Sequence, residues 1–516
     1  MRLLLATLSF AAAMWGQGAG GVQFRDWSMP AKDALAKIVC GELRSLTSYE
    51  FSVLSATIIS AAADVPEHCR VSVLIPPEVN IEVNLPSAWN GRLYMFGNGG
   101  FAGESFEAPN RVAVRARALR YGFATAATDT GHSAATEPGA SFAVNKQKLV
   151  DFAFRSLHVT AETAKLLVRA YYSQTPTKSY FDGCSQGGRQ ALILAQRFPA
   201  DFDGILAGAP ALDHTGLMLA RAYWMQGLAN NPIPASKLKL ISGRVYEQCD
   251  AKDGLKDGLI DDPRRCGFEP ARDLPSCAAG ADNPDCFTPA QIAAIERVHG
   301  DVMSQGKRLF PGWPFGSEIA GPNGQSAWIG QAVTGANGNS TWARYAETFL
   351  DFMAFPEKDA NYPLSRFDVD RDPPRTASLG LIMNATDTDL SAFERRGGKL
   401  LMYFGWADPQ LNPMMGVEYY EKVAERMGSQ TGNFFRLFMV PGMFHCGGGV
   451  GTSTFDADAP LVHWVESGSA PDQIAASRIM DNKVVRTRPL CVYPQVARYK
   501  GSGSIDEAAN FSCVKP

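Results

Sequence analysis

The sequence predicts an α/β protein: one mostly parallel sheet, covered by helices on both faces and built from two separate stretches of chain, with a second domain inserted between them. Three observations predict it. Strand-like and helix-like segments alternate from about residue 70 to 210. The alternation lapses over 212–388, where Pro, Gly, Asp and aromatic residues crowd together, and returns near 389. The chain, at 516 residues, is also longer than one compact core serves.

The elements follow in order. Met1-Arg2, the apolar run LLLATLSFAAAM and the small, polar WGQGAGG read as a secretory signal peptide, residues 1–19. The run is too short to span a bilayer, and no other stretch reaches about 18 apolar residues. The mature chain is therefore expected to be soluble, and secreted or periplasmic. Residues 20–211 and 389–516 form the α/β domain, and 212–388 the insertion. VSVLI and IEVNL are paired strands, and LYMFG is a buried strand that ends in the loop GNGGFAG. ARALRYG is a helix and FATAATDT a strand. Residues 149–172 are one long helix, with Phe154, Leu157, Ala161, Ala164, Val168 and Tyr171 at helical spacing. SYFDG is a strand, GRQALILAQRFP a helix ended by Pro199, and FDGILAGAP a strand. Beyond the insertion, KLLMYFG and FFRLFMVPG are strands, GVEYYEKVAERMG is a helix and APLVHWVESG the final one.

Composition is that of a globular protein, 46% hydrophobic and 20% charged. Net charge is −3 with no long run of either sign, which favours neither nucleic acid nor an anionic membrane as a partner. Ten cysteines in an exported chain suggest five disulfides. Close neighbours suggest Cys249–Cys266, Cys277–Cys286 and Cys491–Cys513, with Cys40–Cys69 the next simplest pair. Cys184 and Cys446 remain. No C-x-x-C spacing supports zinc or a thioredoxin-like site.

Gly183-Cys184-Ser185-Gln186-Gly187 fits G-x-S-x-G, with a strand before it and a helix after it. A serine hydroxyl needs a base, a group that orients the base, and donors for the oxyanion. The flanking glycines are required because side chains there would collide in a tight strand-to-helix turn. The partners should follow in the order Ser, then Asp or Glu, then His, each on a loop after a late strand. Among seven histidines, His445 in VPGMFHCGGG holds that position. His463 falls inside an amphipathic helix, where packing is expected. Asp408 in FGWADPQLNP precedes His445 by one strand; Asp387 and Asp389 are less well placed. The expected triad is Ser185, His445 and Asp408. Cys184 precedes Ser185 and Cys446 follows His445; a bond between these sulfurs would tie the nucleophile's turn to the base's loop. The oxyanion donors expected are the amides of Gln186 and Gly100, with Gly99 next.

The joined pattern G-C-S-x-G-G and P-G-M-x-H-C, together with the acidic segment CDAKDGLKDGLIDDP and the tail RTRPLCVYPQVARYKGSG, resembles the tannase and feruloyl esterase family over nearly the whole mature chain. The resemblance implies an α/β-hydrolase fold with a large lid inserted between the serine and the aspartate. It also implies a Cys184–Cys446 disulfide, a calcium ion in the lid, and hydrolysis of aromatic-acid esters: gallates, hydroxycinnamates or mono-hydroxyethyl terephthalate. The calcium ligands it implies are Asp250, Asp253 and Asp257 with the carbonyls of Leu255 and Leu259. Clustered hard oxygens on a glycine-rich loop suit that ion, although no glutamate stands where an EF-hand needs one. Its role is expected to be structural.

The stretch 310–355 is rich in aromatic residues, of which a minority are expected to face a flat substrate ring and the rest to form lid core. Terephthalate-cleaving members carry an arginine and a phenylalanine here; Asn339 and Ala343 align near those places, which weighs against that substrate. Arg344 is the nearby cation. The reading is a secreted serine carboxylesterase of the feruloyl-esterase kind acting on a small aromatic ester. Tannase or terephthalate-monoester hydrolase is the alternative, and a non-catalytic binding protein on the same fold is the alternative of another class.

Overall fold

The computed structural model describes residues 34–63, 65–318, 327–333, 340–355 and 362–516. The expected signal peptide, residues 1–19, and Asn339 lie outside them. Nine strands form the main sheet: β1 Ser52–Ile59, β2 His68–Ile75, β3 Val79–Pro86, β4 Arg92–Phe96, β5 Ala124–Thr128, β6 Lys178–Cys184, β7 Gly204–Gly208, β8 Lys399–Gly405 and β9 Phe435–Val440. Their spatial order is β9-β8-β7-β6-β4-β5-β3-β2-β1. The pairs from β5 through β9 are parallel; β1, β2, β3 and β5 meet antiparallel. Every residue of β4, β5 and β7 is buried, and apart from Arg92, whose guanidinium pairs with Glu466, and the two threonines of β5 they are small, apolar or aromatic, as a sheet covered on both faces requires. The arrangement is that of the α/β hydrolases.

Helices α1 Pro109–Arg120, α2 Ser156–Tyr172 and α3 Gln186–Arg197 connect the early parallel strands. The sequence reads residues 149–172 as one helix, but the chain opens into a wide turn at Asp151–Arg155 before α2. The cause is Arg189 on α3. Its guanidinium is wholly buried and takes the carbonyls of Phe152 (3.1 Å) and Ala153 (3.0 Å), drawing them out of the helical ladder.

Between the neighbouring strands β7 and β8 the chain makes its long excursion, residues 209–398. It holds α4 His214–Asn230, α5 Ala235–Cys249, α6 Pro289–His299 and α7 Thr341–Phe349. Its centre is a cluster of indoles: Trp342 lies 4.4 Å from Trp313, 5.4 Å from Trp224 and 6.2 Å from Trp328. Helices α8 Met414–Met427 and α9 Asp458–Ser467 complete the α/β part. His463 on α9 is exposed, contrary to the packing role expected of it. After α9 the chain adds a hairpin, β10 Gln473–Met480 and β11 Lys483–Cys491, and a ribbon, β12 Val496–Tyr499 with β13 Phe511–Val514. The sequence reading places nothing there. The signal was Asp481-Asn482, a two-residue turn with both residues at positive φ (48° and 59°), as a primed hairpin turn demands.

His299, at the end of α6, stacks on Phe315 at 3.7 Å and donates Nδ1–H to the Trp313 carbonyl at 2.6 Å. Burial pushes its imidazole down to about 3, against the smaller upward pull of that hydrogen bond. The folded chain thus keeps the ring neutral while the unfolded chain takes up a proton below about pH 6.5. The stability this contributes is complete above about pH 6.5 and is lost as pH falls toward 3. Urea midpoints measured from pH 7 to 4 should therefore fall less steeply in His299→Phe than in the wild type.

Candidate active site

Ser185 joins β6 to α3 with φ 66° and ψ −120°, a conformation that costs an L-residue energy and persists only where the surroundings impose it. Here its N–H donates to the carbonyl of Gly208 (2.9 Å), the last residue of the neighbouring strand β7, and its carbonyl accepts from Ala211 N–H (3.1 Å) just past that strand. The glycines make the turn possible. A Cβ on Gly183 would fall 2.5 Å from the carbonyl carbon and oxygen of Gly187, and one on Gly188 would fall 2.3 Å from the Gly208 oxygen.

Asp408 and His445 leave the ends of β8 and β9. The Asp408 side chain is wholly buried, and its Oδ1 accepts from the amides of Gln410 (2.8 Å) and Leu411 (2.9 Å). His445 donates Nδ1–H to Asp408 Oδ2 at 2.8 Å. A neutral imidazole so bonded carries its lone pair on Nε2, the tautomer a general base needs.

All ten cysteines are paired: Cys40–Cys69, Cys184–Cys446, Cys249–Cys266, Cys277–Cys286 and Cys491–Cys513. Cys184 and Cys446 are 262 residues apart in sequence and 6.0 Å apart at Cα. In the chain-entropy view so long a closed loop is worth about 5 kcal/mol. The bond joins the residue before Ser185 to the residue after His445.

The loop after β4 lies against the start of α3. Asn98 and Gln190, both buried, exchange two hydrogen bonds (3.0 and 3.2 Å), which the sequence reading missed. Gly99 N–H is taken by Glu104 at 3.0 Å, so this loop's expected donor is Gly100. Gly100 has φ +50° with its Cα turned toward α7; a Cβ there would fall 2.6 Å from the Tyr345 hydroxyl. Gln186 is the first residue of α3, where an N–H has no partner within the helix. Its side chain is held by Arg189 Nε at 3.0 Å. Burial lowers the Arg189 guanidinium to about 9.

A family profile described as "Tannase and feruloyl esterase" matches residues 63–514. The chain belongs to that family. It is 36% identical to a mono(2-hydroxyethyl) terephthalate hydrolase of Piscinibacter sakaiensis, over 90% of this chain and 87% of that one. It is 30% identical to a feruloyl esterase B of Aspergillus niger, over 93% and 92%. The solved feruloyl esterase B of Aspergillus oryzae superposes with a TM-score of 0.80 at 28% identity, covering 91% of this chain and 98% of that one. The protein is thus a carboxylic ester hydrolase.

In this esterase the acidic segment follows α5 and is closed by Cys249–Cys266. Asp253, Leu255, Asp257 and Leu259 line a cavity of about 50 Å³, together with Asp261, which the sequence reading left out. Asp250 does not reach that cavity's wall; its carboxylate accepts from the amides of Asp257 and Gly258 at 3.1 Å and so shapes the loop. Asp257 Oδ2 accepts from Arg488 at 2.6 Å, while Oδ1 is buried without a partner. Burial, reinforced by neighbouring carboxylates, pushes Asp253 up and Asp261 up to about 7. An orphaned carboxylate oxygen among hard oxygen donors fits a calcium ion.

Of the aromatic residues at 310–355, Phe310, Trp313, Trp328, Trp342, Phe349 and Phe355 are buried. Phe315, Tyr345 and Phe352 are half-buried, and Arg344 is exposed with its guanidinium 5.6 Å from the Tyr345 ring.

Replacing both Cys184 and Cys446 by serine releases the His445 loop from the serine turn. Thermal unfolding of the double variant should show a loss of about 2–5 kcal/mol. Its kcat should fall more than its KM rises, because the hydroxyl and imidazole then drift apart.

Proposed function

We propose that this chain is an exported serine esterase that cleaves esters of aromatic acids in two acyl-transfer steps, with Ser185 as nucleophile, His445 as base and Asp408 as the group that orients it. The observation that carries the reading is the 2.8 Å His445–Asp408 hydrogen bond on a loop covalently joined beside Ser185. His445 Nε2 takes the Ser185 proton as the oxygen attacks the ester carbonyl. The amides of Gly100 and Gln186 hold the oxyanion. His445 then gives its proton to the leaving alcohol, and the acid remains as an acyl-serine. Water, deprotonated by the same imidazole, attacks that ester and frees the acid and the serine. Buried Asp408 stabilises the imidazolium in both steps.

The aromatic preference is supported by the relatives, named for feruloyl and terephthalate esters, and by half-buried Tyr345 beside Gly100. The 36% identity to the terephthalate monoester hydrolase favours a second reading, in which exposed Arg344 pairs with the substrate's free carboxylate. Initial rates on methyl ferulate, methyl gallate and the terephthalate monoester separate these. The first reading expects methyl ferulate to give the highest kcat/KM, and an advantage for the terephthalate monoester would replace it with the second. Ser185→Ala should abolish both turnover and labelling by a fluorophosphonate, and Asp408→Asn should lower kcat by about 10⁴. Undiminished labelling of Ser185→Ala would remove the serine mechanism.

Export is supported by the residue 1–19 pattern and by five disulfides, which persist in oxidising compartments. Among the described residues no helix is long and apolar enough to cross a membrane. In the loop after α5, Asp253 and Asp257 with the carbonyls of Leu255 and Leu259 would hold structural calcium, which when bound neutralises the clustered carboxylates, while Asp250, expected from the sequence as a further ligand, shapes the loop through its bonds to the Asp257 and Gly258 amides. Chelation should lower the melting temperature, calcium but not magnesium should restore it, and Asp257→Asn should lose that response.

A further inference from the structure

The backbone of the Asp408 loop can be accounted for group by group. Its N–H groups go inward. Trp406 donates to the Val440 carbonyl (2.9 Å) and Ala407 to that of Met443 (3.2 Å), both around the His445 strand. Asp408 N–H closes a turn on Gly405 (3.2 Å), and Gln410 and Leu411 donate to the Asp408 carboxylate. Its carbonyls go outward, and three in succession are taken by three different parts of the insertion. Trp313 Nε1–H donates to the Asp408 carbonyl (3.0 Å) and Trp342 Nε1–H, on α7, to that of Pro409 (3.0 Å). Arg221, on α4, donates to the carbonyl of Gln410. The Asn412 amide returns the contact by donating to Pro311 (2.9 Å) and Gly312 (3.0 Å).

All three donors are buried, and each indole and guanidinium sits in the aromatic core of the insertion, where these bonds have no water to replace them. Burial lowers the Arg221 guanidinium to about 10, while the nearby Asp408 carboxylate pulls it up. A carboxylate orients an imidazole only if its own backbone is fixed, and here one face of that backbone is fixed by the insertion.

We propose that Trp313, Trp342 and Arg221 are positioning residues of the esterase. The insertion holds the acid loop in register with His445, as well as covering the site. The proposal rests on the assignment of Asp408 as the orienting group. Trp342→Phe and Trp313→Phe keep an aromatic ring in the core while removing the indole donor together with part of the ring's volume. Trp328→Phe is the matched control: Trp328 lies in the same cluster but donates to Ser317 Oγ (2.9 Å), away from the loop.

The experiment measures kcat, KM and the pH profile of kcat on methyl ferulate, the labelling rate with a fluorophosphonate, and the melting temperature, for all three variants and Arg221→Met. Trp342→Phe and Trp313→Phe should lose about tenfold or more in kcat and in labelling rate, with KM within about twofold. Their acid limb should move to lower pH, because a displaced carboxylate supports the imidazolium less. Trp328→Phe should melt earlier with kcat and pH profile as in the wild type. If the Trp313 and Trp342 variants match Trp328→Phe in kcat and pH profile, the proposal is overturned. If neither folds, Arg221→Met decides by the same comparison. Failure of the wild type itself to react with the fluorophosphonate would instead remove the serine mechanism on which the proposal stands.

Discussion

The sulfur–sulfur bond between Cys184 and Cys446 is the constraint on which the rest of the site depends, because it joins parts of very different stiffness. Ser185 rides on a strand buried in the middle of a nine-stranded sheet. His445 rides on a loop that runs straight into Gly447, Gly448 and Gly449, the residue type with the most backbone freedom to lose. With its Cα held 6.0 Å from that of Cys184, the residue next to His445 takes its position from the sheet. Both sulfurs are consumed in the bond, so the cysteine beside Ser185 is not a free thiol.

The sheet explains why so long an excursion is tolerated. β7 and β8 are immediate parallel neighbours, so the chain leaves one strand end and must return to the start of the next. Any such crossover already requires a substantial connection, and loop-closure entropy grows only logarithmically beyond it. Residues 209–398 use that allowance to pack four indoles together in a cluster that runs on into the core of the sheet.

What was legible in the sequence was local. The alternation of apolar strands with amphipathic helices shows the sheet, since fully covered strands such as LYMF and GILAG must be apolar at every residue. The glycine–serine turn, and the histidine and aspartate after later strands, were readable because strand ends set where such loops can lie. Less legible was whatever depends on meetings between distant segments. Nothing near Arg189 announces that it would open the helix before α2. The Asn98–Gln190 pair spans 92 residues. The indole donors of Trp313 and Trp342 look, in sequence, like any aromatic residue of a lid core. The C-terminal hairpin was local and still missed, because Asp481-Asn482 is a weaker turn signal than Asn-Gly.

Each member of the Ser185–His445–Asp408 set is anchored by a different part of the molecule. Ser185 is held by the sheet through bonds to Gly208 and Ala211, His445 by the disulfide, and the Asp408 loop by donors from the insertion. The anchors differ in how they fail. The sheet yields only with global unfolding, and the disulfide only to a reductant. The hydrogen bonds from the insertion yield to any loosening of its aromatic core, since an indole that shifts by an ångström no longer donates along the required line. The Asp408 carboxylate is therefore the least securely held of the three, and under the proposed mechanism its placement would couple the insertion to the chemistry.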